Sequence, residues 1–143
     1  MKKNSKNGLI IAMSCNKEWY HYLVVDIYSL LECTKNIEKI YLLVETDKVS
    51  DIPYLKNIIE KYSISIEIVN LNTYFEEFLS VNSPNRNNIF TDFAFGRLLL
   101  PKIVKEDKVI YIDTDAIVRR DISNVWNYDI SEYYVAGVKD YGI

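Results

Sequence analysis

What the chain lacks sets the first limits. No apolar stretch in its 143 residues approaches the ~20 residues that a membrane-spanning helix needs. Charge of one sign is not in excess either. Seventeen Lys and Arg stand against 20 Asp and Glu, with the lysines scattered among acids. A nucleic-acid partner would require a clustered basic footprint, so none is expected. There are only two cysteines, Cys15 and Cys33, too few for a disulfide framework and without metal-ligand spacing. Both fall in apolar segments, where free cysteine behaves as a small buried hydrophobe, and a reduced compartment follows. The single histidine, His21, lies in a helical pattern among Tyr20, Tyr22 and Leu23 and is read as a helix residue. The start, Met1-Lys2-Lys3 and then an apolar run from Gly8 to Met13, is short against the ~7–15 residues of a secretory signal core. Ala12 also stands where a lipoprotein signal carries a larger aliphatic side chain. A cytoplasmic protein is expected, peripheral at the inner face of the membrane at most. No internal repeat or low-complexity tract interrupts the chain.

What is present is an ordinary globular balance, 49% apolar and 26% charged residues, in a length that suits one domain. The 12 tyrosines are read as core and rim packing rather than as sugar-stacking platforms. Leu9-Ile10-Ile11-Ala12-Met13 is a short apolar run, as expected of a strand buried on both faces. Asn16 then stands where a helix cap is wanted, with Glu18 in the first turn. Tyr20, Val24, Ile27 and Leu31 give that helix one apolar face. Ile40-Tyr41-Leu42-Leu43-Val44 is a second strand. The segment Ser50-Asp51-Ile52-Pro53 opens a second helix, carrying Ile52, Leu55, Ile59 and Tyr62 on one face. Residues 63–69 alternate as a third strand, and residues 82–88 are a loop by composition. Thr91 can cap a helix bearing Phe95, Leu98 and Leu99, which Pro101 should break or kink. Residues 108–112 form a fourth strand and residues 133–138 a fifth. Repeated strand–helix–strand units predict an α/β fold of three layers, a mainly parallel sheet with helices on both faces.

In such folds ligands bind beyond the carboxyl ends of the strands, and Asp113-Thr114-Asp115 stands at that end of the fourth. Strand alternation would put Asp113 and Asp115 on one side and Thr114 on the other. Two carboxylates held together repel unless a cation or proton offsets them. A divalent ion with oxygen ligands suits the pair, and such ions complete their shell with water and substrate phosphates. The bland alternative is a solvated turn containing two acids.

The neighbourhood carries more. Arg97-Leu-Leu-Leu-Pro-Lys-Ile-Val, the strand running into Asp113-Thr114-Asp115-Ala-Ile-Val, and Ile122 through Trp126 to Asp129-Ile130 closely resemble glycosyltransferase family 8. The front of the chain is similar too: a strand, a polar turn, Tyr22-Leu23 and the helix Ile27-Tyr28-Ser29-Leu30-Leu31. The resemblance implies a Rossmann-like GT-A fold that binds a nucleotide-diphosphosugar. It implies a UDP-sugar donor (UDP-glucose or UDP-galactose), a Mn2+ or Mg2+ ion, a carbohydrate or glycoconjugate acceptor, and transfer with retention of configuration. By that resemblance Asp113 contacts ribose and metal, and Asp115 is a direct metal ligand. Arg97 reaches toward the donor sugar and diphosphate, a task its planar fork suits; its alternative is a helix-surface salt bridge. Asp140 matches a family acid close to the transferred sugar, or is a solvated loop acid.

Two departures accompany these matches. The family's acidic residue after the first strand is not found in Ser14-Cys15-Asn16-Lys17-Glu18, where Asn16 either takes the nucleoside contact or caps the helix. The family's downstream histidine, which completes the metal site, cannot be equated with His21. Residues 1–143 are accordingly expected to form the nucleotide-sugar-binding part without the acceptor-binding portion, and to transfer no sugar at a useful rate alone. The competing readings are a non-catalytic nucleotide-sugar-binding module and a haloacid dehalogenase-type phosphatase. The phosphatase would use the first aspartate as nucleophile, but needs lysine and acidic motifs well downstream of a motif that here begins at position 113.

Overall fold

Four parallel strands lie in the order β3-β2-β1-β4: β1 is Leu9–Ser14, β2 Ile37–Val44, β3 Ser65–Asn70 and β4 Ile110–Tyr111. They belong to a computed structural model that describes residues 8–74, 93 and 95–139. The loop expected at 82–88, the cap at Thr91 and the candidate Asp140 lie outside the described residues. All six residues of β1 are buried, because the strand is central and covered on both faces. Its odd-numbered side chains Leu9, Ile11 and Met13 pack with α1 (Tyr20–Cys33) and α2 (Leu55–Tyr62). Ile10 and Ala12 face the other way, toward Tyr41, Leu43, Phe93, Leu99 and α3 (Leu100–Ile103). The expected three layers are therefore present. No helix among the described residues is long and apolar enough to cross a membrane.

The helical stripes are close to those expected. In α1 Tyr20, Val24 and Ile27 are buried as predicted, together with Leu23, Leu30 and Asp26. In α2 the most buried residues are Leu55 and Ile58, while Ile59 and Tyr62 are partly buried against the same core. The third strand starts at Ser65 rather than Ser63, because Ser63 takes a left-handed conformation (φ 51°) that ends α2.

Two expectations are corrected. Pro101 does not break a helix: residues Phe95–Leu99 form a 3-10 turn, and Pro101 stands in the first turn of α3, where its missing N–H forfeits no hydrogen bond. Residues 133–138 form no strand. They are exposed, and among the described residues no neighbouring strand offers them a ladder. Apolar and aromatic content alone does not make a strand without a partner edge.

Candidate functional site

The strand order reverses direction at β1, whose neighbours are β2 on one side and β4 on the other. Chain connections leave opposite ways there, opening a crevice at the carboxyl ends of β1 and β4. A cavity of about 310 Å3 occupies that position, lined by Ser14, Cys15, Asn16 and Trp19 after β1. Tyr111, Asp113, Thr114 and Asp115 line it from β4, and Phe93 and Arg97 from the segment before α3. Every predicted site residue that falls among the described residues is brought to this one place.

The acids reach it by a different route from the one expected. Strand pairing stops when the Ile112 N–H donates to the Ala12 carbonyl (3.0 Å), and the chain turns at once, with the Ala116 N–H donating to the Asp113 carbonyl (3.1 Å). Asp113 and Asp115 are exposed and Thr114 is buried, so the division of side chains comes from this turn and not from strand alternation. Thr114 lines the cavity as well.

Arg97 stands opposite the turn. Its Nη2 lies 3.1 Å from Asp113 Oδ1, and its guanidinium is 4.9 Å from the centre of the Tyr111 ring. Both partners of the ion pair are about half exposed, so the pair itself contributes little to stability. The salt-bridge alternative and the site assignment thus coincide, since the partner of Arg97 is a motif aspartate. The Tyr111 hydroxyl titrates above its ordinary range, first because it is buried and then because the Asp113 charge lies close.

The placement of Arg97 depends on Gly96. A Cβ there would sit 2.6 Å from Ser14 Oγ and 2.9 Å from Leu71 Cδ1. Ser14 Oγ cannot easily retreat, because it donates to the Phe93 carbonyl (2.9 Å). Gly96→Ala should therefore push the 3-10 turn off the end of β1. The expected loss is about 1–3 kcal/mol in urea denaturation, an overpacking cost. An unchanged midpoint would show that the turn moves freely.

Asn16 departs from its expected role. Its side chain makes no cap hydrogen bond; its backbone carbonyl accepts from the Trp19 N–H (3.1 Å) in a 3-10 turn, Lys17–Trp19, that precedes α1. The Asn16 side-chain oxygen is buried without a hydrogen-bond partner beside the cavity. Such an acceptor is costly unless something supplies a donor, which favours the ligand-contact alternative over capping. Cys15 is no nucleophile: burial, helped by the Glu45 charge, pushes its thiol up to about 12.

Two aromatic lining residues, and a buried acid behind the site, were not anticipated. Trp19 and Tyr111 give the cavity aromatic walls, and the tryptophan is further braced by Tyr22 at a ring separation of 4.9 Å. A tryptophan in an otherwise polar turn was the available signal. Asp26, on α1, is fully buried with neither carboxylate oxygen hydrogen-bonded. Burial, with a smaller contribution from the charge of Asp115, pushes it up to about 7.

The acidic donors in the lining are the carboxylate oxygens of Asp113 and Asp115. That set fits a hard divalent ion. Among the described residues no third His, Cys, Asp or Glu completes a cluster, and His21 is exposed on α1.

Known proteins resemble this chain in sequence and in fold. A putative glycosyltransferase of Haemophilus influenzae is 26% identical over 132 residues, covering 91% of this chain and 38% of that protein. General stress protein A of Bacillus subtilis is 36% identical over 85 residues, covering 57% of this chain and 28% of the relative. The chain therefore spans roughly a third of the length of these relatives. The solved galactosyltransferase LgtC in complex with donor and acceptor sugar analogs superposes with a TM-score of 0.65 at 21% identity, over 85% of this chain and 43% of that one. The bifunctional glycosyltransferase WbbM, solved without ligand, gives 0.68 at 17%, over 91% and 22%. Likeness at that identity establishes the fold alone. Residues 10–142 match Glycosyl transferase family 8 from the first strand to beyond the acidic turn, and the chain belongs to that family.

Proposed function

We propose that this chain is the donor-binding part of a hexosyltransferase that takes UDP-glucose or UDP-galactose and delivers the hexose to a glycan or other hydroxyl acceptor with retention. The observation that carries the reading is the convergence of Arg97, Asp113, Asp115, Asn16 and Trp19 on one cavity at the switch point of a parallel sheet. Trp19 offers a flat apolar face for a nucleobase, and the orphaned oxygen of Asn16 can accept from a base N–H or a ribose hydroxyl. Arg97 has the planar fork that fits diphosphate oxygens. Asp113 and Asp115 would hold the Mn2+ or Mg2+ ion. When bound, the ion would offset charge that builds on the diphosphate as it departs.

In the transfer, the bond from the anomeric carbon to the diphosphate oxygen breaks, and the acceptor hydroxyl oxygen bonds to that carbon. The hydroxyl proton passes to the departing diphosphate. Arg97 would stabilise that leaving group by facing it throughout, a fixed charge that need not reorganise. Asp140 is assigned on sequence alone as the acid beside the transferred sugar.

The test is thermal. UDP at about 100 times its dissociation constant with Mn2+ present should stabilise the protein by about 2.7 kcal/mol, and much less in EDTA. No metal-dependent shift at millimolar UDP would refute the donor-site reading.

A further inference from the structure

The acidic turn is followed by a stretch that the sheet does not hold. β4 ends at Tyr111, and residues 113–122 pair with no strand among the described residues. Their backbone needs other partners, and α1 supplies them. Ser29 Oγ donates to the Asp26 carbonyl one turn back (2.9 Å), which fixes the direction of its hydrogen. The same oxygen then accepts from the Val118 N–H (2.9 Å), 89 residues away in sequence and three residues past Asp115. At the end of the helix the buried Thr34 Oγ1 accepts from the Ile122 N–H (3.3 Å). Ser123 Oγ reaches the Lys35 carbonyl (3.4 Å) just beyond. Val118 and Ile122 pack against the core beside these bonds.

From this geometry we propose that Ser29, supported by Thr34, is a positioning residue for the acidic turn: α1 sets where the Asp115 carboxylate stands. The inference rests on the donor-site reading for its functional consequence. The Asp115 carboxylate, exposed on a turn, has many rotamers and makes no hydrogen bond of its own among the described residues. Its location is therefore decided by the backbone on either side. On one side is the last sheet hydrogen bond at Ile112, and on the other is the Ser29 bond at Val118. Five residues separate those anchors, few enough that losing one lets the turn drift. A loosely held ligand pays more entropy when an ion orders it, so affinity should fall even though neither carboxylate is altered.

The experiment uses the 143-residue chain with UDP, reading free Mn2+ by electron paramagnetic resonance and the backbone by hydrogen–deuterium exchange. Ser29→Ala should weaken Mn2+ binding in the presence of UDP about tenfold and raise exchange of the peptide spanning 114–119. Ser29→Thr, which keeps the hydroxyl, should restore affinity to within about threefold. Ile58→Val, a core change on α2 away from the turn, should leave Mn2+ affinity unchanged even where it lowers Tm as much as Ser29→Ala. Equal Mn2+ affinity in Ser29→Ala and the unaltered protein would overturn the inference, and so would an equal loss in Ile58→Val. If the unaltered protein takes up no Mn2+ with UDP, the donor-site reading fails instead. The exchange measurement then decides the positioning claim on its own, with unchanged exchange at 114–119 refuting it.

Discussion

Replacing Asp115 with asparagine is expected to weaken metal-dependent UDP binding by about 100-fold or more while leaving the protein folded. A hundredfold loss corresponds to about 2.7 kcal/mol. Asp115 is exposed, and its loss removes negative charge rather than packing, so stability should stay within about 0.5 kcal/mol. Asp113→Asn makes a useful comparison. It should weaken metal binding too, but it also removes the 3.1 Å ion pair with Arg97. Arg97 keeps its charge for the diphosphate, so UDP binding in EDTA should be retained in that variant, as in Asp115→Asn. Isothermal titration of UDP with Mn2+ and with EDTA separates metal-dependent from metal-independent binding. Undiminished metal-dependent binding in Asp115→Asn would remove that residue from the metal site. Unfolding of the variant would make the acid a structural part of the turn.

How far the sequence alone reaches can be judged from particular residues. The runs in β1 and β2 were legible because central parallel strands are buried on both faces and so carry no polar alternation. The Asp-Thr-Asp triplet was legible as a site because it follows such a run. Its geometry was not, since the turn depends on where pairing with β1 stops, at Ile112. The capping alternative for Asn16 fails for a related reason. The chain enters α1 through a 3-10 turn, and this takes the side chain away from the amides that it would cap. Asp26 could not be found by periodicity at all. It sits one position before Ile27, beside the apolar stripe, where a helix surface is ordinarily wet. The local pattern of α1 gives no hint that the segment around Val118 packs onto that flank and closes it off.

That enclosed carboxyl predicts the second large effect. Asp26 titrates near 7 in the folded protein against an ordinary value of 3.8, because burial penalises its charged form and Asp115 adds to the penalty. Below pH 3.8 the group is protonated folded or unfolded, and it contributes no pH dependence. Between 3.8 and 7 the folded state keeps a proton that the unfolded state has released, so stability falls as pH rises. Above 7 the loss is complete, since the carboxylate is then buried charged or the fold opens to release it. Each pH unit in that window is worth up to about 1.4 kcal/mol, so raising the pH from 5.5 to 8 should cost about 2 kcal/mol. Asp26→Asn keeps the shape and removes the titration. Urea denaturation at the two pH values should show the unaltered protein losing about 2 kcal/mol more than the variant. Other titrating groups are common to both proteins and cancel in that difference. The magnesium-free and UDP-free protein is the one to use, because a cation near Asp115 would reduce the repulsion that Asp26 feels. Identical pH dependence in the two proteins would mean that Asp26 is solvated or hydrogen-bonded in solution, and that the flank of α1 beneath the acidic turn is open to water.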